Sequence, residues 1–335
     1  MRLSDEQLRG LLNAGQLYEG WKDVLVQLAN MPGGMYWRVI NSKEYLYQYV
    51  PGPVGLQQQT KSLGPRTPQA EDAYRDFRER KEALEERRTA VEARIKELAP
   101  VWRALRLPAI DRTAGRILRT LDQANLIGDS VLVIGTYALK AYEVESASNF
   151  AAGMDATEDL DFTLCLTEGN IDPDVPRRLL LTLKHADPTF IVSTNSAKTV
   201  VNKAGYKVDL LTNKSAARHF SAARLWKPAA LEGQEWLLLG KPVNAVLIDF
   251  DGWPVHISAP DPRYFALHKL WLSKRPGRPT AKRVKDERQG KALLEAIKQY
   301  MDHYPFNEEF AATLPAVLRG HLPVTKGSKS ADARS

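Results

Sequence analysis

Residues 131–139 read Val-Leu-Val-Ile-Gly-Thr-Tyr-Ala-Leu, and this short stretch decides what kind of fold the chain can form. Its first four residues are apolar and uncharged, which is typical of a buried strand. Gly135 and Thr136 interrupt the apolar run, and a helix is predicted over 136–145. Backbone N–H groups at the start of a helix have no partner within it and attract anions. The stretch therefore predicts a strand, a turn and a helix, with a corner that suits phosphate.

Three aspartates follow on two further predicted strands. Asp159 and Asp161 stand at the start of a strand predicted over 160–166, and the two-residue period of a strand places both on one face. Asp209 lies in an apolar strand predicted over 208–211, where an unpaired buried charge costs on the order of several kcal/mol. If the two strands are neighbours, the three carboxylates can share hard divalent cations, which prefer oxygen ligands.

The order of these features is more informative than any one of them. An Asp-x-Asp pair and a strand that turns through Gly-Thr into a helix are both common and have low specificity. Together they place a phosphate corner before two carboxylates, and a third carboxylate after them. Two divalent ions held by carboxylates and substrate phosphates are the general device for in-line phosphoryl or nucleotidyl transfer. The combination favours that chemistry.

The chain is predicted to be an α+β protein in three parts. The N-terminal region, 1–110, contains a helix over 4–30, a β-hairpin (36–40 and 45–50), a polar loop (55–69) that is either a linker or functional, and a charged helix (71–98). The core, 111–258, alternates helices with apolar strands and forms a mixed sheet. The C-terminal region, 259–322, holds helices over 262–272, 282–303 and 308–318. Residues 323–335 are predicted to be a disordered tail.

Composition narrows the class of protein further. The 335 residues carry a formal net charge of +7, which mildly favours a polyanionic partner such as nucleic acid. One cysteine, Cys165, excludes an internal disulfide framework and a multi-cysteine metal cage. No apolar run approaches the roughly 20 residues that cross a bilayer, so a cytoplasmic protein without a membrane partner is expected.

At these residues the chain resembles the DNA polymerase β-like nucleotidyltransferase superfamily. The superfamily pattern is a hydrophobic strand with Gly-Ser or a variant, here Gly135-Thr136, then an Asp-x-Asp strand, here Asp159 and Asp161, then a third aspartate, here Asp209. The chain is also similar to one bacterial nucleotidyltransferase-fold family without an assigned acceptor. The segments that carry this second similarity are 36–38, 62–66, 135–143, 268–273 and 282–286.

The resemblance implies a nucleotidyltransferase-fold core and transfer of a nucleoside monophosphate from an NTP to a hydroxyl acceptor, with two Mg²⁺ ions, or Mn²⁺, as cofactors. It implies that Asp159 and Asp161 bind both metals and that Asp209 binds one and takes the acceptor's proton. Gly135 and Thr136 would hold the triphosphate, and Arg66 would reach over the nucleotide. Lys269 and Lys285, on predicted helices rich in basic residues, are further candidates for phosphate contact.

Several alternatives stay open at the level of sequence. The acceptor is an RNA 3′ end such as tRNA, which the basic charge favours, or a protein or small molecule; a toxin or defence role with a partner antitoxin is one form of this function. The rival hypotheses are a non-catalytic nucleic-acid-binding protein with the same fold and an enzyme that cuts phosphodiesters. Asp155 and Glu158 are interpreted as a polar loop. The aromatic residues of the hairpin are interpreted as core, with stacking on bases as the alternative.

Overall fold

The computed structural model describes residues 1–50, 59–150, 159–165, 172–220 and 226–323. The predicted tail, from residue 324 on, lies outside these ranges. The α-helices in the described ranges are α1 (Asp5–Asn30), α2 (Pro68–Ala104), α3 (Arg112–Gln123), α4 (Ala138–Glu145), α5 (Val175–Ala186), α6 (Pro262–Lys274), α7 (Thr280–Tyr300), α8 (Glu308–Thr313) and α9 (Ala316–Arg319). Two 3-10 helices are η1 (Ala216–Phe220) and η2 (Gln234–Leu238).

The strands of the described residues form three sheets. They are β1 (Gly34–Ile40), β2 (Lys43–Val50), β3 (Gln59–Pro65), β4 (Ala109–Ile110), β5 (Val131–Ile134), β6 (Asp159–Leu164), β7 (Ile191–Ser193), β8 (Ser196–Val201), β9 (Lys207–Thr212), β10 (Ala229–Ala230), β11 (Val243–Asp249) and β12 (Pro254–Ala259). The architecture is α+β, as predicted from the sequence.

The central sheet has the strand order β5-β6-β9-β8-β7, and β10 pairs with the end of β9. All four residues of β5 are buried, which explains the uninterrupted apolar run at 131–134. Strands β6 and β9 are parallel to each other, while β5 and β8 run antiparallel to their neighbours. The predicted strands at 131–134, 160–166 and 208–211 are therefore neighbours in one sheet. Strand β8, which lies beside β9, was not predicted.

A second sheet joins the core to the N-terminal region. Its order is β12-β11-β4, and β4 pairs in parallel with the end of β11. Helix α1 packs on the same sheet through an apolar cluster that includes Tyr18, Trp21 and Ile248. The capping box of α1, in which Ser4 and Gln7 bond reciprocally, confirms the predicted start of this helix.

The N-terminal region differs from its prediction in two places. The predicted hairpin is present, but the segment predicted as a polar loop contributes a third strand, β3, which pairs with β2. The charged helix does not end before Pro100; α2 continues to Ala104. The buried side chains of Ala99 and Trp102 anchor that last turn, and tertiary packing of this kind outweighs the hydrogen bond that proline removes.

The C-terminal region consists of helices that cover one side of the core. Helices α6 and α7 pack closely against each other, and α6 also contacts η2. The helix predicted over 308–318 is broken into α8 and α9, because Pro315 stands between them. Within the described part of the chain, none of the helices combines the length and the apolar character that a membrane span needs.

Candidate functional site

The register of the central sheet brings two of the predicted aspartates together. Asp161 on β6 and Asp209 on β9 are direct partners across the parallel pair. Asp159 lies at the exposed start of β6, two residues before Asp161 and so on the same face. The three aspartates predicted as a group thus lie on one face of two adjacent strands.

Asp209 is held by two residues of the unpredicted strand β8. The Thr199 hydroxyl donates a hydrogen bond to Asp209 Oδ1 at 2.6 Å, and the Lys198 ammonium forms an ion pair with Asp209 Oδ2. Thr199 is also the direct register partner of Asp209. Neither residue was predicted from the sequence, although the β-branched run Thr199-Val200-Val201 is typical of a strand and could have indicated them.

Asp161 lies in a setting that disfavours its charge. Part of its side chain is open to a cleft, but the surrounding protein desolvates the carboxyl group, and the negative charge of Asp209 adds to this effect. Together they raise the pKa of Asp161 to about 6, against the attraction of Lys269 and Lys198. A cation placed between Asp161 and Asp209 would remove this repulsion.

The Gly135 turn approaches Asp161 so closely that only glycine fits. Gly135 has a φ of +69°, and a Cβ atom built there would overlap Asp161 Oδ2. Both the backbone conformation and the space therefore require glycine. The predicted strand–turn–helix unit is present, with β5 entering the turn and α4 leaving it.

Behind this turn, two tyrosines tie the site to α3. Thr136 is buried, and the hydroxyl of the next residue, Tyr137, donates a hydrogen bond to Asp111, which caps α3. The Tyr206 hydroxyl lies 3.3 Å from that of Tyr137. Burial raises the pKa of both tyrosines well above the usual range, so both stay protonated and hold the turn in place.

A cleft of about 330 Å³ opens over the carboxylate pair. Gly135, Asp161 and Asp209 lie in its lining, together with residues of β8, η2, α6 and the start of α7. Among the described side chains that line it, five are basic, namely Lys198, Lys269, Arg275, Arg278 and Lys282, and three are acidic, namely Asp161, Asp209 and Glu232. The surplus of positive charge suits a polyanionic substrate.

Lys269 reaches the cleft from a buried ion-pair network. Its ammonium donates a hydrogen bond to Asp286 Oδ1 at 3.0 Å, and Arg278 pairs with the other oxygen of the same carboxylate. Burial lowers the pKa of Lys269, while the charge of Asp286 opposes that effect. Asp286 thus holds two basic side chains, Lys269 and Arg278, at one buried carboxylate.

Trp271 adds an aromatic side chain to the lining of the cleft, and it packs against Trp236. Trp236 and Trp271 form an edge-to-face pair with ring centroids 4.8 Å apart, and the Arg275 guanidinium lies over Trp271 at 4.7 Å from its centroid. His268 packs beside both rings, and burial, with the neighbouring charge of Lys269, lowers its pKa to about 3. His268 is therefore neutral near pH 7, as expected of a core histidine.

The chain matches the model of a protein family described as nucleotidyltransferase over residues 112–315. That range is more than half of the chain and contains every residue of the cleft. The chain belongs to this nucleotidyltransferase family. It is thus an enzyme of the transferase class, and the family membership argues against a protein that only binds nucleic acid. No curated protein and no solved structure matches the chain significantly.

Divalent cations are the usual cofactors of nucleotidyl transfer, and the donor set of this site fits such an ion. Asp161 and Asp209 offer carboxylate oxygens side by side, and Mg²⁺ in nucleotide enzymes is typically held by one or two carboxylates plus substrate phosphates. In the described ranges, no group of three or more acidic, histidine or cysteine side chains is arranged to hold a metal without substrate. The Asp161–Asp209 pair is therefore the part of the site whose chemistry fits a divalent cation.

Other predicted site residues lie elsewhere. Arg66 is at the end of β3, where it pairs with Glu44 and Glu71 and lies over the Trp37 ring; it is not among the residues described as lining the cleft. Lys285 is half-buried on α7, one turn beyond Lys282, and does not line the cleft either. Asp155 and Glu158 fall outside the described residues.

Proposed function

We propose that this nucleotidyltransferase uses Mg²⁺ to transfer a nucleoside monophosphate from an NTP to the 3′ hydroxyl of an RNA. The observation that supports this most is the carboxylate pair Asp161–Asp209 at the floor of a cleft whose lining is rich in basic side chains. Carboxylates beside cations are what a metal-bound triphosphate needs, because the metal takes the carboxylates and the phosphates take the cations.

The residues of the cleft divide between the two ends of the nucleotide. Lys269 on α6, Arg278 in the connection between α6 and α7, and Lys282 on α7 line the cleft, and we propose that they bind the β- and γ-phosphates. The main chain at Gly135 and the Thr136 turn lie beside Asp161, where the α-phosphate would meet the metal. The Trp271 ring offers an apolar surface for the base.

Asp209 is the proposed proton acceptor. Thr199 and Lys198 orient its carboxylate, and it lies opposite Asp161 rather than at the exposed end of the sheet. In the reaction the acceptor oxygen bonds to the α-phosphorus, its proton passes to Asp209, and the bond to the leaving pyrophosphate breaks. Bound Mg²⁺ or Mn²⁺ would supply positive charge to the triphosphate and the leaving group. Asp161 and Asp209, together with Asp159, are the proposed ligands for it.

The experiment is label transfer with each of the four α-³²P-NTPs. The unaltered protein and the Asp159→Ala/Asp161→Ala variant are incubated with Mg²⁺, total cellular RNA and a protein extract. Label in the RNA fraction, made only by the unaltered protein and abolished by EDTA, is the expected result. RNA whose 3′ ends have been oxidised by periodate is the matched control, and it should take no label.

Label in the protein or small-molecule fraction would show that the acceptor is a protein or a small molecule rather than RNA. The proposed transferase chemistry would still hold. Release of nucleotides from RNA, without incorporation, would instead favour phosphodiester cleavage. A toxin or defence role with a partner antitoxin stays a prediction that rests on the resemblance, and the identity of the labelled RNA is what would test it.

A further inference from the structure

The three-stranded sheet β1-β2-β3 has two faces of different chemistry. Met35 on β1 packs into the apolar cluster that includes Phe77 of α2, and Trp37 makes an edge-to-face contact with Tyr74 of α2 at 5.8 Å between ring centroids. Leu46 on β2 is almost fully buried. Because side chains alternate along a strand, Met35, Trp37 and Leu46 define the inner face of this sheet, which α2 covers.

The other face carries four tyrosines and two cations. Tyr36 pairs with Tyr47 and Arg38 with Tyr45 across β1 and β2, and Tyr49 pairs with Gly34. The Tyr36 ring is stacked on both Tyr49, at 4.9 Å, and Tyr47, at 5.8 Å. We call this set the tyrosine face; its members are Tyr36, Arg38, Lys43, Tyr45, Tyr47 and Tyr49.

The rings of the tyrosine face are only half-buried, and the ring contacts found for them in the described chain are with one another and with Arg38. The Arg38 guanidinium lies 5.8 Å from the Tyr47 centroid. A Cβ atom at Gly34 would come within 3.1 Å of the Tyr49 ring, so Tyr49 lies directly over that glycine. The tyrosines therefore form an aromatic surface, and none of the described helices covers it.

The charged members of the tyrosine face, Arg38 and Lys43, are both basic. Glu44 is the one acidic residue within the described strands β1, β2 and β3. It lies on the inner face and pairs with Arg66 at 2.7 Å, so it does not neutralise Arg38 or Lys43. On the adjacent strand β3, Thr60 and Ser62 stand opposite Tyr49 and Tyr47 and add hydroxyl groups to the same face.

We propose that the tyrosine face binds single-stranded RNA. Stacked aromatic rings beside cations match the unpaired bases and phosphates of a single strand. Hydroxyl groups at the rim suit the ribose 2′-OH. Ile40, the register partner of Lys43, is one aliphatic residue on the same face and is exposed. A protein partner that binds through apolar contacts would be expected to meet several aliphatic residues, rather than stacked tyrosines flanked by Arg38 and Lys43. This surface lies outside the cleft. The proposal that it binds RNA does not depend on the proposed nucleotidyl transfer.

The test measures binding of an unstructured, fluorescein-labelled RNA of about 12 nucleotides to the full chain by fluorescence anisotropy, without NTP. Tyr36→Thr/Tyr47→Thr should raise Kd at least roughly tenfold, because each stacked base is lost at a cost that corresponds to about fivefold or more. Tyr36→Phe/Tyr47→Phe should keep the affinity, since the rings remain. Tyr300→Leu, on α7, is the control for removing a tyrosine elsewhere.

Charge is tested separately. Arg38→Gln/Lys43→Gln should weaken binding and flatten the dependence of log Kd on log salt concentration, because fewer counterions are released. Arg177→Gln/Lys184→Gln removes the same charge from the exposed surface of α5 and should leave the salt dependence closer to that of the unaltered protein. Circular dichroism and Tm check that each variant is folded.

Equal RNA affinity of the Tyr→Thr variant and the unaltered protein, with both folded, would overturn the proposal. Equal affinity for DNA of the same sequence would overturn the assignment to RNA. A self-associated form in light scattering that the Tyr→Thr variant loses, without any RNA binding, would assign the face to a second copy of the chain instead. None of these results depends on catalysis, so they are distinct from a failure of the label-transfer experiment.

Discussion

Asp161 and Asp209 face each other across two parallel strands, although 47 residues separate them in the sequence. Parallel strands need a crossover connection, and here helix α5 and the β7-β8 hairpin lie on that connection. The pair therefore exists only in the completed sheet. Burial, together with the negative charge of the nearby Asp209, raises the pKa of Asp161, and Lys198 and Thr199 bind the oxygens of Asp209.

Asp209→Asn should reduce kcat at least about 100-fold, because a general base contributes roughly 10² to 10⁴ to a rate. Nucleotide binding should persist, since the cations of the cleft are unchanged. The measurement is steady-state transfer together with equilibrium binding of a labelled NTP. Asp302→Asn, at an exposed position, is the matched control and should retain full activity. Normal kcat in Asp209→Asn would exclude the proposed role.

Gly135→Ala should abolish transfer, because the new methyl group would displace the Asp161 carboxylate. The matched control is Gly205→Ala. Gly205 also has a left-handed backbone, with a φ of +84°, but nothing lies within 4 Å of a Cβ there. Backbone strain should cost both variants about 1 to 2 kcal/mol in the free energy of unfolding, measured in urea, and the overlap with Asp161 should add to the loss in Gly135→Ala. Activity should survive only in Gly205→Ala; loss in both would mean that backbone strain alone inactivates the enzyme.

Asp286→Asn should lower the free energy of unfolding by about 3 kcal/mol or more, because it leaves the buried Lys269 without its anionic partner. Urea denaturation at neutral pH measures the effect. Glu287→Gln is the control on the same helix: Glu287 pairs with the exposed Lys291, and such surface pairs contribute about 1 kcal/mol or less. An equal, small effect in both variants would show that the Lys269–Asp286 pair does not support the fold.

The buried Asp122 should make stability depend on pH in the acid range. Burial would raise its pKa, but hydrogen bonds from His256 and Tyr18 and the nearby charges outweigh burial and lower the pKa to about 2, from 3.8. The folded state therefore binds this proton less readily than the unfolded chain. The stabilisation, about 2 kcal/mol, is present above pH 4 and is lost as the pH falls from about 4 to 2.

Asp122→Asn removes this group from the titration. Urea denaturation between pH 2 and 5 should therefore give a shallower loss of stability for the variant than for the unaltered protein. The comparison isolates Asp122 because both chains keep every other carboxylate. Parallel curves for the two proteins would contradict the prediction.

The parts of the fold that could be predicted are those with strong local signals. The apolar run at 131–134, the Asp-x-Asp strand and the start of the first helix near residue 4 depend on neighbours in the sequence, and all three predictions agree with the structure. Strand β3 could not be predicted, because six of its seven residues are exposed and it has no apolar alternation. Its pairing with β2 decides its conformation.

In the candidate site, too, the residues that could be predicted are those with a local sequence pattern. Local pattern led to Gly135, Asp161 and Asp209, which the sheet brings together. Lys198 was missed because its role depends on β8 lying beside β9, a tertiary fact. Arg66 was proposed for the nucleotide from the resemblance, whereas the structure holds it between two carboxylates in the N-terminal region.

The pairing of β4 with β11 also bears on how the core is kept from self-association. Ile248 donates its N–H to the Pro108 carbonyl, and Phe250 donates to the Ile110 carbonyl, so residues just before the core pair with the end of β11 at the edge of the second sheet. A chain cut after residue 110 would begin with that edge open and with the apolar surface under α1 uncovered. Unpaired edges of this kind are templates for intermolecular strand pairing. The N-terminal region thus acts, within the same chain, as protection against aggregation.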